Sequence, residues 1–475
     1  MSKGTLISVN PSNNEIIWSG DNSDEETIKK VVHTARSYQP IWNLASLEER
    51  QKIVIRFSEI VKNKAEEAAR IISEENGKPF WEAKTEVNSL VNKVQVVFDS
   101  FNERASTKTK ELANGRVAIT RYKPHGVMAV LGPFNFPMSM PNSHIMPAIY
   151  AGNTVVFKPS ERTPKSACFY RDMWIEAGLP ADVLQIVNGD AEIGDFLVTK
   201  ADIDGVLFIG SRKAGKEIEK KAAERDKLCV LEMGGNSPLV IWDYTNIKAA
   251  LNIAIQSCYI STGQRCSAAR RLIVNSAIYK DFIIALSNAV DKIIVGDPFN
   301  TNPIPFMGPM VDKKAADQFL NDCYNLVEKG AKELVAAKRI DSLGECFVSP
   351  ALLDVTGVSS EDIEIFGPLL QVISADTFDQ AIQICNETQY GLAAGLVTES
   401  RDLYEKFSNQ VSAGIINWNQ QLTGSTTINP FGGIKGSGNF HPAGYLSVDY
   451  CVYGCASIES STAIMPANLS PGLVL

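Results

Sequence analysis

GVMAVLGPFNFPMSMPNSHIMPAIYAGNTVVFKPSERTP, from Gly126 to Pro164, is the stretch whose reading decides the fold. Its apolar run GVMAVL stops at Gly132-Pro133, a helical pattern follows, and a second apolar run, TVVF at Thr154 to Phe157, leads into a helix after Thr163-Pro164. Short β-rich runs alternating with helical patterns predict βαβ units, hence a parallel sheet with helices on both faces. The rhythm continues outward through VLQIV at Val183, GVLFI at Gly205 and LCVLE at Leu228. A second series runs from RLIV at Arg271 through a helix containing FIIALSNAV to LLQVI at Leu369, a helix from Phe378, GLVT at Gly395 and GIINW at Gly414. Two α/β units are expected. Upstream, Glu25 to Lys78 carries helix formers at helical spacing, opened by Asp24-Glu25-Glu26 and closed by Gly77-Lys78-Pro79. ELANGRVAITRYKPHG and VDYCVYGCASI lean towards strand but fit no βαβ unit, so they are expected to pair outside the two units, across a subunit interface.

The bulk properties agree with a large globular chain. At about 150 residues per domain, 475 residues predict two large folding units or three smaller ones. With 45% apolar and 21% charged residues, a core can be buried without staples or metal. A net charge of −8 leaves no basic excess for nucleic acid or an anionic membrane, so neither is expected as a partner. No run approaches the roughly 18 apolar residues of a membrane helix. The amino-terminal MSKGTLISVNPSNNEIIWSGDNSDEE has neither an apolar signal core nor an Arg-rich transit character, which predicts a cytoplasmic protein. Nine scattered cysteines with no Cys-x-x-Cys pair predict reduced thiols rather than a disulfide framework or a zinc site; no metal is expected.

Candidate chemistry gathers in strings that interrupt the strand pattern near carboxyl ends, where open α/β sheets bind ligands. Cys266, in TGQRCSAARR, falls on a loop or helix edge where a thiolate would be accessible, although most cysteines are inert buried groups. Glu232 ends LCVLE just before Met-Gly-Gly; it reads equally as a general base raised by apolar neighbours or as a capping or ion-paired carboxylate. Asn135, between Phe134 and Phe136, is either an oxyanion donor or a turn residue satisfying its own backbone. FIGSRKAG, with Gly210, Ser211, Arg212, Lys213, Ala214 and Gly215, opens a helix whose amino terminus suits a phosphate, but it is not G-x-G-x-x-G and the helix beyond reads as a solvated face. In FKPSE, Lys158 and Glu161 suit ribose hydroxyls, and an acid there would repel a 2′-phosphate; either is equally an ordinary surface charge.

In this order, GPFNFP, FKPSE, FIGS, LEMGG, GQRC, EIFGP and PFGGIKGSG resemble the aldehyde dehydrogenase superfamily over almost the whole chain. The resemblance implies two doubly wound α/β domains plus a small β oligomerisation element. It divides the chain into an NAD-binding domain over 1–105 and 125–233, a catalytic domain over 234–440, and oligomerisation segments at 106–124 and 441–475. It implies NAD as cofactor, a small-molecule aldehyde as substrate, and a homodimer or homotetramer. By the same matching, Cys266 attacks the aldehyde, Asn135 and the Cys266 N–H hold the oxyanion, and Glu232 activates the water that hydrolyses a thioester. Lys158 and Glu161 fall to the adenosine ribose, Gly189 and Gly194 to the adenine side, Gly210 and Ser211 to the pyrophosphate, and Glu364 with Phe366 to the nicotinamide. Within the family, GQRCSAARRLIV, INWNQQLTG and the tail with NLSPGL resemble a branch oxidising N-succinyl-L-glutamate 5-semialdehyde in arginine breakdown. Two carboxylates and an amide call for an arginine in the pocket, and Arg265, Arg270 and Arg271 are the nearby candidates.

Overall fold

In the computed structural model, which describes residues 4–475 except 360, 425, 464 and 467, the stretch from Gly126 forms the centre of a five-stranded parallel sheet. The strand order is Leu184–Ile186, Thr154–Lys158, Val127–Leu131, Gly205–Gly210, Leu228–Met233. The chain first builds away from Val127–Leu131 on one side and then returns to its other side, so the strand order reverses there. A crevice at the carboxyl ends of such a switch point is where this class of sheet binds ligands. Fully buried Val127, Met128, Ala129 and Val130 show why the strand reads as a continuous apolar run.

A second, seven-stranded sheet has the order Lys332–Val335, Ala351–Asp354, Leu369–Ala375, Ala269–Asn275, Ser237–Ile241, Ala393–Val397, Ile415–Trp418. All its pairs are parallel except the first. Only Gly234, Gly235 and Asn236 separate the last strand of one sheet from a central strand of the other. That central strand, SPLVI, is absent from the sequence reading because it follows the glycine string without a turn or helix to announce it. The antiparallel pair at the sheet edge and the hairpin Thr5–Val9 with Ile16–Asp21 also lie outside the βαβ rhythm.

Three helices, Glu25–Leu44, Leu47–Asn63 and Ala65–Asn76, form the expected helical region, and a fourth, Phe80–Arg104, follows beyond Lys78. Asp24 accepts from the Thr27 N–H at the first start, and Ser46 with Glu49 makes a capping box at the second. Gly77, at φ 75°, ends the third. The two orphan β segments pair with each other: Val117–Pro124 runs antiparallel to Val452–Glu459 on one side and to Lys108–Glu111 on the other, a separate three-stranded sheet. Among the described residues, no helix is long and apolar enough to cross a membrane. All nine cysteines are free.

Candidate active site

The loop before Cys266 is wound through three consecutive left-handed residues, Ser261 at φ 56°, Thr262 at 53° and Gly263 at 69°. For Ser and Thr that conformation is costly and persists only where the surroundings fix it. They do so closely. A Cβ on Gly263 would lie 2.1 Å from the Gly367 carbonyl oxygen, so only glycine lets the loop meet the segment after Phe366. Buried Arg270 donates to that same oxygen at 3.0 Å and to the Arg265 carbonyl at 3.0 Å. Glu82, from the helix Phe80–Arg104, accepts from the Ser261 N–H at 3.1 Å, from its hydroxyl, and from Arg265 Nη2 at 2.7 Å. The loop before Cys266 is thus clamped by Glu82 and Gly367, far away in sequence, and by the nearby Arg270 guanidinium.

Cys266, Glu232, Asn135, Glu364 and Phe366 line one end of a cleft of about 1110 Å³ that follows the carboxyl ends of the five-stranded sheet. Asn135 Nδ2 donates to the Gln264 carbonyl at 2.8 Å. The Asn135 backbone carbonyl accepts from Lys78 Nζ at 2.8 Å, and Lys78 is paired with buried Glu86 at 2.7 Å. Glu86 in turn receives the Met138 and Ser139 N–H groups at 3.1 and 3.2 Å, which fixes the turn after Asn135. The side-chain amide is therefore held through one N–H and the backbone beneath it through its carbonyl, which leaves the other Nδ2 N–H over.

Glu232, 3% exposed, accepts from the Ala443 N–H at 3.1 Å through Oε1, while Oε2 has no partner. Burial pushes its carboxyl up to about 8, opposed by the Ala443 N–H and by Lys93. Burial likewise raises the Cys266 thiol to about 12, with the Glu364 and Glu232 carboxylates adding to it. Glu364 is raised to about 7 by burial, against the pull of Arg270 and the Gly235 N–H. A carboxylate tuned towards neutrality with one free oxygen, beside a thiol and an amide donor, can take up a proton, form a covalent adduct and hold an oxyanion.

The rest of the cleft fits a dinucleotide. Lys158, its ammonium lowered by burial, donates to the Pro159 carbonyl at 2.9 Å, and Glu161 lines the same wall. Gly194 leaves room beside them: a Cβ there would lie at ordinary contact distance from Lys158 Cδ, 3.7 Å. Gly210, Ser211 and Ala214 line the cleft where the helix Arg212–Ala223 begins, and Ser211 caps the Ala214 N–H at 3.3 Å. Arg212, Lys213, Gly215 and Gly189 do not line it. Gly215 is packed against Met233, where a Cβ would come within 2.4 Å of sulfur, and Gly189, at φ 146°, turns the chain against Ile193. Phe196, Phe208, Ile218 and Lys221 complete the far end; strand and helix patterns alone gave no sign of them.

These features define the chain as an aldehyde dehydrogenase. It belongs to the aldehyde dehydrogenase family, whose model matches residues 1–452. The chain is 42% identical over 472 residues, 99% of its length and 96% of the relative's, to the N-succinylglutamate 5-semialdehyde dehydrogenase of Chromobacterium violaceum. It resembles the solved structure of an NADP-dependent enzyme of E. coli at 27% identity and TM-score 0.90, covering 96% of this chain and 95% of the other. A protein of Sinorhizobium meliloti 1021 solved with NAD matches at 25% identity and TM-score 0.91, covering 97% and 95%. The chain is an oxidoreductase of the NAD(P)-using aldehyde dehydrogenase class.

Proposed function

We propose that the chain oxidises N-succinyl-L-glutamate 5-semialdehyde to N-succinyl-L-glutamate with NAD, as a step of arginine catabolism. The convergence of Cys266, Glu232 and Asn135 at one end of a single cleft carries the reading. With its proton released to solvent water, the Cys266 sulfur adds as thiolate to the aldehyde carbon and the carbonyl oxygen becomes an oxyanion, which the free Asn135 N–H and the Cys266 backbone N–H receive. Loss of hydride from that carbon leaves a thioester. When bound, the nicotinamide supplies the acceptor for that hydride. Water then attacks the acyl carbon while Glu232 takes its proton, the carbon–sulfur bond breaks, and sulfur leaves as thiolate.

Lys158, Glu161, Gly194, Gly210 and Ser211 would hold the cofactor's adenosine and phosphates, and Glu364 with Phe366 its nicotinamide end. Glu161 favours NAD, because a 2′-phosphate would bring its charge against a carboxylate. For the substrate carboxylates we assign Arg265. Arg271 and Arg270 are buried, the first against the Asn236, Ile384 and Cys385 carbonyls and the second against loop carbonyls. Arg265, partly exposed beside the nucleophile, is oriented by Glu82 and the Thr423 carbonyl and keeps an N–H on each terminal nitrogen. The nine free thiols accord with a reducing, cytoplasmic setting, and the exposed edges of the three-stranded sheet with a homodimer or homotetramer.

The test is kcat/KM for NADH formation with this substrate against succinate semialdehyde, glutamate semialdehyde and propanal. A preference of several orders of magnitude over propanal is expected, since polar groups built for two carboxylates and an amide stay unpaired when a plain aldehyde binds. Comparable values for all four would remove the substrate assignment.

A further inference from the structure

Lys93, which does not line the cleft but acts electrostatically on Glu232, is 2% exposed and lies within ion-pair distance of no carboxylate among the described residues. A buried cation with no counter-ion is expensive to keep, and a neutral side chain would be the simpler filler. Its ammonium donates to the Gly444 carbonyl at 2.8 Å and to Ser447 Oγ at 3.4 Å. Gly444 follows Ala443, whose N–H is the one hydrogen bond to the Glu232 carboxylate, and the two residues pair antiparallel with Pro430 and Phe431. At φ 72° Gly444 sits so close to Asn429 that a Cβ would come within 2.2 Å of its carbonyl oxygen. Lys93 therefore pins a backbone turn with little freedom to move, and that turn holds one oxygen of Glu232 while the other stays free.

The remaining groups around this pair carry no competing cation. From the helix Ser139–Ala151, His144 shares a 2.8 Å hydrogen bond with Tyr450 and is kept neutral by burial, its ring pushed down to about 3. Tyr450 and Cys451, from the carboxyl-terminal segment, are both raised by burial and stay protonated, as does Cys266 from the nucleophile loop. Asp449 is paired with Arg104. Among the described residues, Lys93 is the one cation that draws Glu232 towards its ionised form, and burial lowers its own ammonium to about 8.

We propose that Lys93 is a positioning residue for the hydrolytic half of the reaction: it clamps the Ala443–Gly444 turn onto one oxygen of Glu232 and draws that carboxylate towards its ionised form, so that the other oxygen can accept a proton from water. This rests on the reading of Glu232 as the hydrolytic base. The activated ester 4-nitrophenyl acetate tests it without any redox step, because the burst of nitrophenolate reports acylation of the thiol and the steady rate reports hydrolysis of the acyl-enzyme. The wild-type steady rate should rise with pH through a midpoint near 8. Lys93→Gln keeps a donor for Gly444 but not the charge. Its burst amplitude should persist while the midpoint moves up by about one pH unit, slowing hydrolysis about tenfold at pH 7. Lys93→Arg should hold the midpoint, and Lys93→Met gives a second neutral variant should the glutamine one fail to fold. An unmoved midpoint in the neutral variants overturns the proposal, as does a loss of burst and steady rate in equal proportion, which would mark Lys93 as structural only. Glu232→Gln is run alongside. Unslowed hydrolysis in that variant sinks the reading of Glu232 itself, whereas slowed hydrolysis there with a normal profile in Lys93→Gln sinks the role of Lys93 alone.

Discussion

At one end of the cleft, Cys266 follows a left-handed loop held by distant segments, Glu82 and Gly367, together with the nearby Arg265 and Arg270 guanidinium groups. At the other end, the helices Ala191–Thr199 and Arg212–Ala223 are started by their own neighbours, Asp190 accepting from the Glu192 N–H and Ser211 from the Ala214 N–H. The first end is buried and assembled by long-range polar contacts. The second is half-open and built from local strand-to-helix turns, with Lys221 and Asp195 tying the two helices at the surface. Preorganised donors matter most where charge develops during reaction, so substitutions should be felt steeply at the first end and shallowly at the second.

The largest effect belongs to Cys266. Cys266→Ala should lower dehydrogenase turnover by roughly four orders of magnitude or more, with cofactor binding by titration nearly unchanged, because the role proposed for the thiol is that of nucleophile and not of cofactor contact. Appreciable turnover would move the chemistry to another residue. Glu232→Gln comes next, with thioester hydrolysis slowed by about 10²- to 10⁴-fold and acyl-enzyme accumulating in rapid quench. Because burial holds the Glu232 carboxyl near 8, it is protonated below that value, and with the base role proposed for it the wild-type hydrolysis rate should fall as pH drops from 8 to 6. Loss of the hydride burst in the variant would instead make Glu232 the base that activates the thiol.

Arg265→Met should reduce kcat/KM for N-succinyl-L-glutamate 5-semialdehyde by about 10²-fold or more, while propanal changes far less. A parallel loss for both aldehydes would mean that the guanidinium serves the loop through Glu82 and Ser261, and that the reaction end is even more tightly coupled than the comparison holds.

How much of each end was legible follows from the same contrast. The strand-to-helix rhythm is local, so GVMAVL, TVVF, GVLFI and LCVLE could be placed from their own residues, and each ends at the cleft. The strand SPLVI was not legible, because its only announcement is the glycine string in front of it, yet it is central to its sheet. At the reaction end, motif resemblance could point to Cys266, Glu232 and Asn135, but nothing in the sequence links Glu82 to Arg265 or Lys93 to Gly444. Adjacent residues point in different directions, and only the fold separates Arg265 from Arg270 and Arg271. At the far end, Phe196, Ile218 and Lys221 lie on ordinary amphipathic helices, where a residue facing a ligand is indistinguishable from one facing solvent or core.

Cofactor choice sharpens the shallow end. Glu161→Gln should narrow the preference for NAD over NADP by about tenfold, read as the ratio of kcat/KM values, since one unfavourable charge contact of about 1.4 kcal/mol is worth that much. An unchanged ratio would show that Lys158 already neutralises Glu161.

The smallest effect is expected at Lys213, one residue inside the helix that begins beside the cleft. Its position in FIGSRKAG invites a phosphate contact, but its side chain is exposed and does not line the cleft. What faces the cleft there is Gly210, Ser211 and Ala214. The favourable field of a helix amino terminus comes from backbone N–H groups, so it survives loss of a side chain that points elsewhere. An exposed ammonium adds only a screened, long-range attraction to a bound phosphate. Lys213→Ala should therefore change the KM for NAD by no more than about twofold at physiological salt, where such an exposed charge is worth a fraction of a kcal/mol. A tenfold rise in KM that disappears at high salt would show that the lysine swings onto the cofactor, and that the open end of the cleft, like the reaction end, depends on a particular side chain.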